Sequence, residues 1–537
     1  MPSPTTPPRS PRPPPTQPGT ARPSQGDPPS RAAVALWAVA LLAPFLVRLG
    51  AAPLFDVDEG AFGEATREML ASGDFGFTTL HGAPRFDKPI LVYWLQAASV
   101  GALGLSETAL RLPSALCAWG WCLAVARFAW PRLGSRAALL AGTIAASSLG
   151  VLAIGRAATA DALLNLLLAL ATLDAWRHLE GGAKAPLRRT YLWIGLGLLA
   201  KGPVALVIPV GATLAWALAS GALRRWARAA FDPAGWAILL AVAAPWYAYA
   251  LHRHGWAFVD GFLIRHNVAR YTSVLEGHRG SLGYYVLALP LLVLPWTALV
   301  PGLVVRARSL WAEPLPRFLL AWAGFVLVFF SLSGTKLPHY GLYGATPLFL
   351  LLALQAERAG RLARALVGAA VALLLALVAA LPSLAPIVAP RIGDPLYREL
   401  VAGGSELPAA PLVAGALAAA AAWLAAARVF RDSPRRAAAG AFAAALALTG
   451  AATPWIGELV QGPVKRAALA ARARPEPAVQ WGVHTPSFAV YRGQPTPRGE
   501  PRAGQLALVR ASALPAGARY AVVHPDRGYA LVEWLGP

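Results

Sequence analysis

Charge is what this chain has least of. Only 14% of its 537 residues are Asp, Glu, Lys or Arg, where an ordinary soluble domain carries about 25%. Acidic residues are the scarcer half, 26 against 48 basic ones. Cysteine is limited to Cys117 and Cys122, which excludes a disulfide scaffold. The two lie in one apolar run and read as small packing residues, with no redox or metal pattern. There is no Gly-rich phosphate loop, so a nucleotide-dependent enzyme has no support. There is no internal repeat either, which argues against a transporter built from duplicated halves.

Apolar residues are plentiful. They make up 56% of the chain, and mean hydropathy is +0.50. Both figures exclude a soluble globular protein and a disordered one. The net charge of +22 could point to nucleic acid, but a polytopic membrane protein is also basic, because Lys and Arg gather in its inner turns. Where the positive charges sit decides between the two.

Residues 1–31, rich in Pro, Ser, Thr and Arg, read as a disordered basic tail, and the first apolar run after it reads as an uncleaved anchor. Apolar runs follow near 32–50, 110–130, 137–155, 160–176, 189–200, 203–221, 234–251, 283–304, 317–334, 339–356, 363–386, 409–428 and 437–456. A crossing helix needs about 20 residues, so 189–200 is short. A further run, 89–105, is ambiguous, and charge arbitrates. If it does not cross, the turns at 127–136, 177–189, 224–228, 306–317, 358–364 and 428–436 all fall on the side of the tail, each with three or four Lys/Arg. That is the positive-inside pattern, and it excludes nucleic acid as the reason for the charge. The run 89–105 is therefore expected to lie along the outer interface, with Tyr93 and Trp94 at headgroup level. The expected fold is an all-α polytopic membrane protein with about thirteen transmembrane helices in 32–456. Its first outer loop spans 51–109. Outer juxtamembrane helices and a small soluble periplasmic domain, 457–537, complete it. Short β-prone runs from 478 on suit an α/β or all-β module.

With the inside fixed, the outer face holds the informative charges. The first outer loop carries Asp56, Asp58, Glu59, Glu64, Glu68 and Asp74, then Arg85, Asp87 and Lys88. Asp58 opens a helical stretch, where a plain N-cap is the competing role. Lys201 follows a short apolar run and precedes the helix-breaking Gly202-Pro203. A Lys near the bilayer centre costs roughly 2.5–3.5 kcal/mol, so it lines a wet cavity, binds a ligand or snorkels to the headgroups. Asp161, Arg265, His266, Arg270, Lys336 and Tyr340 occupy other outer turns. Carboxylates and cations collected on one face suit phosphate binding beside a base or orienter for a hydroxyl.

The segments DVDEGAFGEATREMLASGDF, FDKPILVYWLQA, ALRLPSAL, RAATADALLN, LAKGPVAL and GTKLPHY, in that order, resemble the polytopic glycosyltransferases of the ArnT-like/protein O-mannosyltransferase superfamily. Bacterial members of it move 4-amino-4-deoxy-L-arabinose from undecaprenyl phosphate to lipid A. The resemblance runs from about residue 33 to 345. It implies a C-type glycosyltransferase fold in the bacterial inner membrane, with the active site facing the periplasm. It implies a polyprenyl-phosphate-linked sugar donor and a lipid or lipopolysaccharide acceptor, with no cofactor required and a divalent metal as an option. By the same resemblance Asp58, Glu59 and Asp161 are the catalytic candidates. Lys88, Lys201, Arg270, Lys336 and Tyr340 hold the lipid phosphate or line the cavity, and Asp87 and His266 are the metal candidates. The chain departs from the aminoarabinose enzymes at Ala61-Phe62 (usually Arg-Tyr), at Asp87 (usually Glu) and at Arg265 (usually His). These changes bear on the sugar and leave the reaction class standing. The alternatives are transfer to a protein Ser/Thr, a ligase of lipid-linked polymers, and a lipid-linked-sugar flippase.

Overall fold

The computed structural model describes residues 29–274, 277, 279–430, 432–515 and 517–536. The expected tail therefore lies, up to residue 28, outside the described residues.

Helices occupy every apolar run expected to cross. Among the described residues, six are long and apolar enough to span a bilayer: Glu107–Ser147, Pro233–His254, Pro314–Leu332, Arg361–Arg391, Ala410–Val429 and Ser433–Arg472. Shorter helices such as Asp161–Gly181, Lys184–Lys201, Val204–Ala219 and Ala345–Arg358 fill the remaining runs. The helix over the short run 189–200 begins earlier than hydropathy suggests, at Lys184, because charged residues are good helix formers that hydropathy does not count.

Several expectations are corrected. The runs 110–130 and 137–155 form two helices, as expected, but within Glu107–Ser147 they meet at a sharp kink at Gly134, whose φ of 84° a glycine adopts without strain, and not across a turn spanning 127–136. The run 283–304 is not a straight span: Tyr284–Leu292 and Trp296–Val305 meet at 116°. The run 89–105 forms the helix Leu91–Leu103, but Tyr93 is fully buried. It stacks on Phe62 with ring centroids 5.3 Å apart, so packing outweighs its preference for the headgroup region. Helix Thr453–Arg472 runs on past residue 457, so no break in the chain falls there. Both cysteines are free thiols.

The C-terminal residues form an α/β unit. Strands β3 (Ala478–Trp481), β4 (Leu506–Arg510), β5 (Arg519–Asp526) and β6 (Tyr529–Gly536) form a sheet in the order β3-β4-β6-β5. The strands β1 (Thr79–Leu80) and β2 (Ala83–Pro84) make a small hairpin in the first outer loop. Between β3 and β4 the chain makes the helix Ser487–Arg492, which packs against helix Asp58–Ser72. Glycine makes this approach possible: a Cβ on Gly60 would meet Asp56 Oδ1 at 2.0 Å and the Ser487 nitrogen at 2.4 Å.

Candidate functional site

The last residues before helix Asp58–Ser72 are anchored from below. Arg111, in the ALRLPSAL segment, sends its guanidinium to the backbone oxygens of Leu49 (3.0 Å), Ala52 (2.7 Å) and Pro53 (2.8 Å). It also grips both carboxylate oxygens of Glu59, at 2.8 and 2.7 Å. Glu59 further accepts the N–H of Phe55 and of Ala158. Every lone pair is taken and both side chains are buried, so Glu59 is a structural anchor and not the catalytic group expected of it.

Asp58, one residue earlier, points elsewhere. Successive helical residues differ by about 100° in direction, so the neighbour of a buried anchor faces outward. Asp58 is not the N-cap: Val57 holds that position and makes no side-chain cap. Asp58 is exposed to a cavity of about 870 Å³. That cavity is also lined by Arg85, Asp87, Lys88, Asp161, Lys201, His266, Arg270, His339, Tyr340 and His484. Its apolar wall includes Phe62, Val204, Val207, Leu263, Phe329 and Phe330. Eight of the ten sequence candidates therefore meet in one space. Glu59 and Lys336 do not reach it.

Lys336 is buried and donates to the carbonyls of Ser331 (3.0 Å) and Ser333 (2.5 Å). It satisfies the carbonyls left open at the end of helix Pro314–Leu332, as a cation does well there. This is a capping role and not a phosphate contact.

Asp161 begins helix Asp161–Gly181 and is not free. Lys201, at the end of Lys184–Lys201, donates to it, and the Tyr343 hydroxyl donates to it at 3.3 Å. His339 Nε2 stands 3.6 Å from the same oxygen. Lys201 also lies 5.8 Å from the Tyr340 ring centroid and 5.7 Å from that of Tyr343. Lys201 is thus neutralised by a carboxylate and flanked by aromatic faces.

Lys88 sits across the cavity on the segment that leaves β2. Its ammonium donates to the Asp87 carbonyl at 3.1 Å and has no carboxylate partner among the described residues. Burial, then the nearby Lys201 charge, pushes it down to about 8, although Asp87 pulls the other way. Arg270 follows the π-helical turn Val259–Ala269 and reaches the Tyr340 hydroxyl at 3.5 Å. A π-helix is rare and frequently marks functional sites.

Asp87 Oδ1 and His266 Nε2 lie 2.9 Å apart, close to the spacing of two ligands on one cation at bonds of about 2.0–2.2 Å. His266 Nδ1 is buried without a partner, and Arg85 stands 3.3 Å from the other Asp87 oxygen. Burial would raise the Asp87 carboxyl, but the His266 bond and the Arg85, His266 and Lys88 charges outweigh it and hold it well below the usual range. The pair fits two ligands of a divalent cation, with the remaining positions open.

Sequence reasoning gave Arg85 no role at the site, and missed His339, Tyr343 and His484. The first three stand inside or next to segments already singled out. His484 has no local signal, because it arrives from the C-terminal unit.

The model of a family described as dolichyl-phosphate-mannose-protein mannosyltransferase matches residues 87–249, a stretch that holds Lys88, Asp161 and Lys201. An undecaprenyl phosphate-alpha-4-amino-4-deoxy-L-arabinose arabinosyl transferase of Serratia proteamaculans is 30% identical over 60% of this chain and 59% of its own length. Its counterpart in Aeromonas salmonicida is 32% identical over the same shares. The chain thus matches 59% of the length of these relatives. The crystal structure of ArnT from Cupriavidus metallidurans bound to undecaprenyl phosphate superposes with a TM-score of 0.80. That match covers 95% of this chain and 100% of the other, at 21% identity. Over these stretches the chain is similar to the mannosyltransferase family and to the arabinosyl transferases. The superposition shows that it has the polytopic C-type glycosyltransferase fold over 95% of its length. The family match by itself leaves Asp58, Arg270 and Tyr340 outside its limits; the cavity is what joins them to Lys88 and Lys201.

Proposed function

We propose that this protein is an integral-membrane glycosyltransferase that moves a sugar from a polyprenyl-phosphate donor to a periplasmic acceptor, lipid A or another lipopolysaccharide lipid. The observation that carries the reading is the pairing within one cavity of Asp58 with Lys88, neither of which has a salt-bridge partner among the described residues. The named activity of the relatives supports the donor class.

In this reading the acceptor oxygen attacks the anomeric carbon as the bond from that carbon to the lipid phosphate breaks. Asp58 takes or orients the acceptor proton. Lys88 and Arg270 stabilise the charge that develops on the departing phosphate, and Tyr340 lines their side of the cavity. Because a phosphate so neutralised leaves readily, no strong general acid is needed. Direct displacement inverts the anomeric centre. Asp161 holds Lys201 in place instead of acting as a second base. A divalent cation on Asp87 and His266 would add positive charge beside the phosphate, but the scheme does not depend on it. The apolar wall accepts the polyprenyl chain. Basic inner turns orient the molecule so that the cavity opens to the periplasm.

The test is the Asp58→Asn chain in a deletion background, with mass spectrometry of lipid A and of the polyprenyl-phosphate sugar pool. Loss of the sugar mass on lipid A, with the donor pool accumulating, is the expected result. Unchanged acceptor modification overturns the assignment, and a sugar lost only from protein Ser/Thr moves the acceptor to protein.

A further inference from the structure

A second constellation of ligand-type side chains lies outside the sugar-transfer cavity. Glu64 and Glu68 stand one turn apart on helix Asp58–Ser72, fully or almost fully buried. His81 occupies the turn between β1 and β2. One donor atom from each of the three lies within 4.8 Å of the other two. Both ring nitrogens of His81 are buried and neither has a hydrogen-bond partner. That is a costly arrangement for an imidazole. The backbone is costly too: His81 has φ of 55° and Gly82 of 78°, the two-residue hairpin turn that ordinarily takes Asn-Gly. A histidine in that position, with both nitrogens buried and without a partner, has a nitrogen open to a ligand.

We propose that Glu64, Glu68 and His81 form a binding site for a divalent first-row transition-metal ion of the Zn2+ type. Two carboxylates and one imidazole are the donor set such ions take, with one position left for water. Both carboxylates are also held by other partners. Arg67 holds both Glu64 oxygens at 2.7 Å, while the Thr79 hydroxyl and the Gly82 N–H donate to Glu68. These are the outer contacts that orient metal ligands. Two carboxylates buried beside one guanidinium are both ionised only at a cost unless a further cation joins them, and a metal ion would take the place of the proton that otherwise neutralises one of them. The bound ion would tie the helix that presents Asp58 to the hairpin that leads into Arg85, Asp87 and Lys88. Its role is to position the loop. The site stands on its own residues, whether or not the chain transfers a sugar.

The experiment uses the full-length chain in nanodiscs, stripped with EDTA and titrated with Zn2+ against a fluorescent chelator. Bound metal is counted by mass spectrometry. In the Asp87→Ala/His266→Ala background, which removes the cavity pair, one Zn2+ per chain is expected, with a rise in the thermal midpoint. Adding Glu68→Gln or His81→Asn should weaken binding by about 100-fold or more, above the 10–100-fold cost of losing an outer contact, and abolish the rise. Asn tolerates positive φ, so His81→Asn keeps the hairpin, which an unchanged midpoint without Zn2+ checks. No uptake in the Asp87→Ala/His266→Ala chain, or unchanged uptake after His81→Asn, overturns the proposal.

Discussion

The guanidinium of Arg111 and the carboxylate of Glu59 form a bidentate pair at 2.8 and 2.7 Å, buried between the first outer loop and the long helix Glu107–Ser147. Removing one member of a buried pair strands the other charge, at a cost of about 3–5 kcal/mol. Glu59→Gln and Arg111→Met should each lower the yield of monodisperse protein in fluorescence-detected size exclusion. The double variant Glu59→Gln/Arg111→Met should recover part of that loss, because no lone charge remains.

Asp58 makes no such structural contact. Asp58→Asn should therefore leave the thermal midpoint within about 1 °C of the parent, since surface changes fall within about 0.5 kcal/mol. Transfer should drop by about 10²–10⁴-fold, the range of general-base effects. Binding of polyprenyl phosphate, measured by its thermal shift, should persist.

Lys88 is pushed down to about 8 by burial and its cationic neighbours. It is charged below that pH and neutral above it, and only the charged form holds a phosphate. Polyprenyl-phosphate affinity should therefore fall as pH rises through about 8. Lys88→Arg stays charged throughout and should flatten the fall; Lys88→Ala should bind weakly at every pH.

Burial pushes the Asp56 carboxyl up to about 7 against the two bonds donated by Ser487. The folded chain then keeps a proton that the unfolded chain releases near its ordinary value of about 3.9. Stability is therefore expected to fall as pH rises from about 4 to 7. The Glu64 carboxyl, raised to about 7 chiefly by burial, contributes in the same direction. Thermal midpoints of EDTA-treated protein at pH 5 and pH 8 check this: Asp56→Asn should shrink the difference between them, and Asp56→Asn/Glu64→Gln should shrink it further.

The helical segments were legible because hydropathy reports apolar runs directly, and a helix fills each run expected to cross. Lys201 was legible as well, because a lysine in apolar sequence must be accounted for, and Asp161 with two tyrosines accounts for it. Glu59 was not, since adjacent acids on a helix look alike in sequence while facing opposite environments. Lys336 misled for a similar reason: a cation in an outer turn can cap its own helix as well as bind a ligand. Tyr93 followed a statistical preference for the interface that a stacking partner on another element, Phe62, overrode. His484 was out of reach, because nothing near it in sequence reveals that its strand and helix fold back onto the first loop.

The docking of helix Ser487–Arg492 on helix Asp58–Ser72 also sets an order of events. The Asp56–Ser487 contact joins residues 431 positions apart. At 5–20 residues per second, synthesis takes roughly 20–90 s to travel from one to the other. During that interval the loop that carries Asp58 has no cover, and Gly60 has nothing to pack against. The cavity is completed by a segment that emerges 431 residues after the loop it covers, so the earlier helices are inserted well before the cavity is whole.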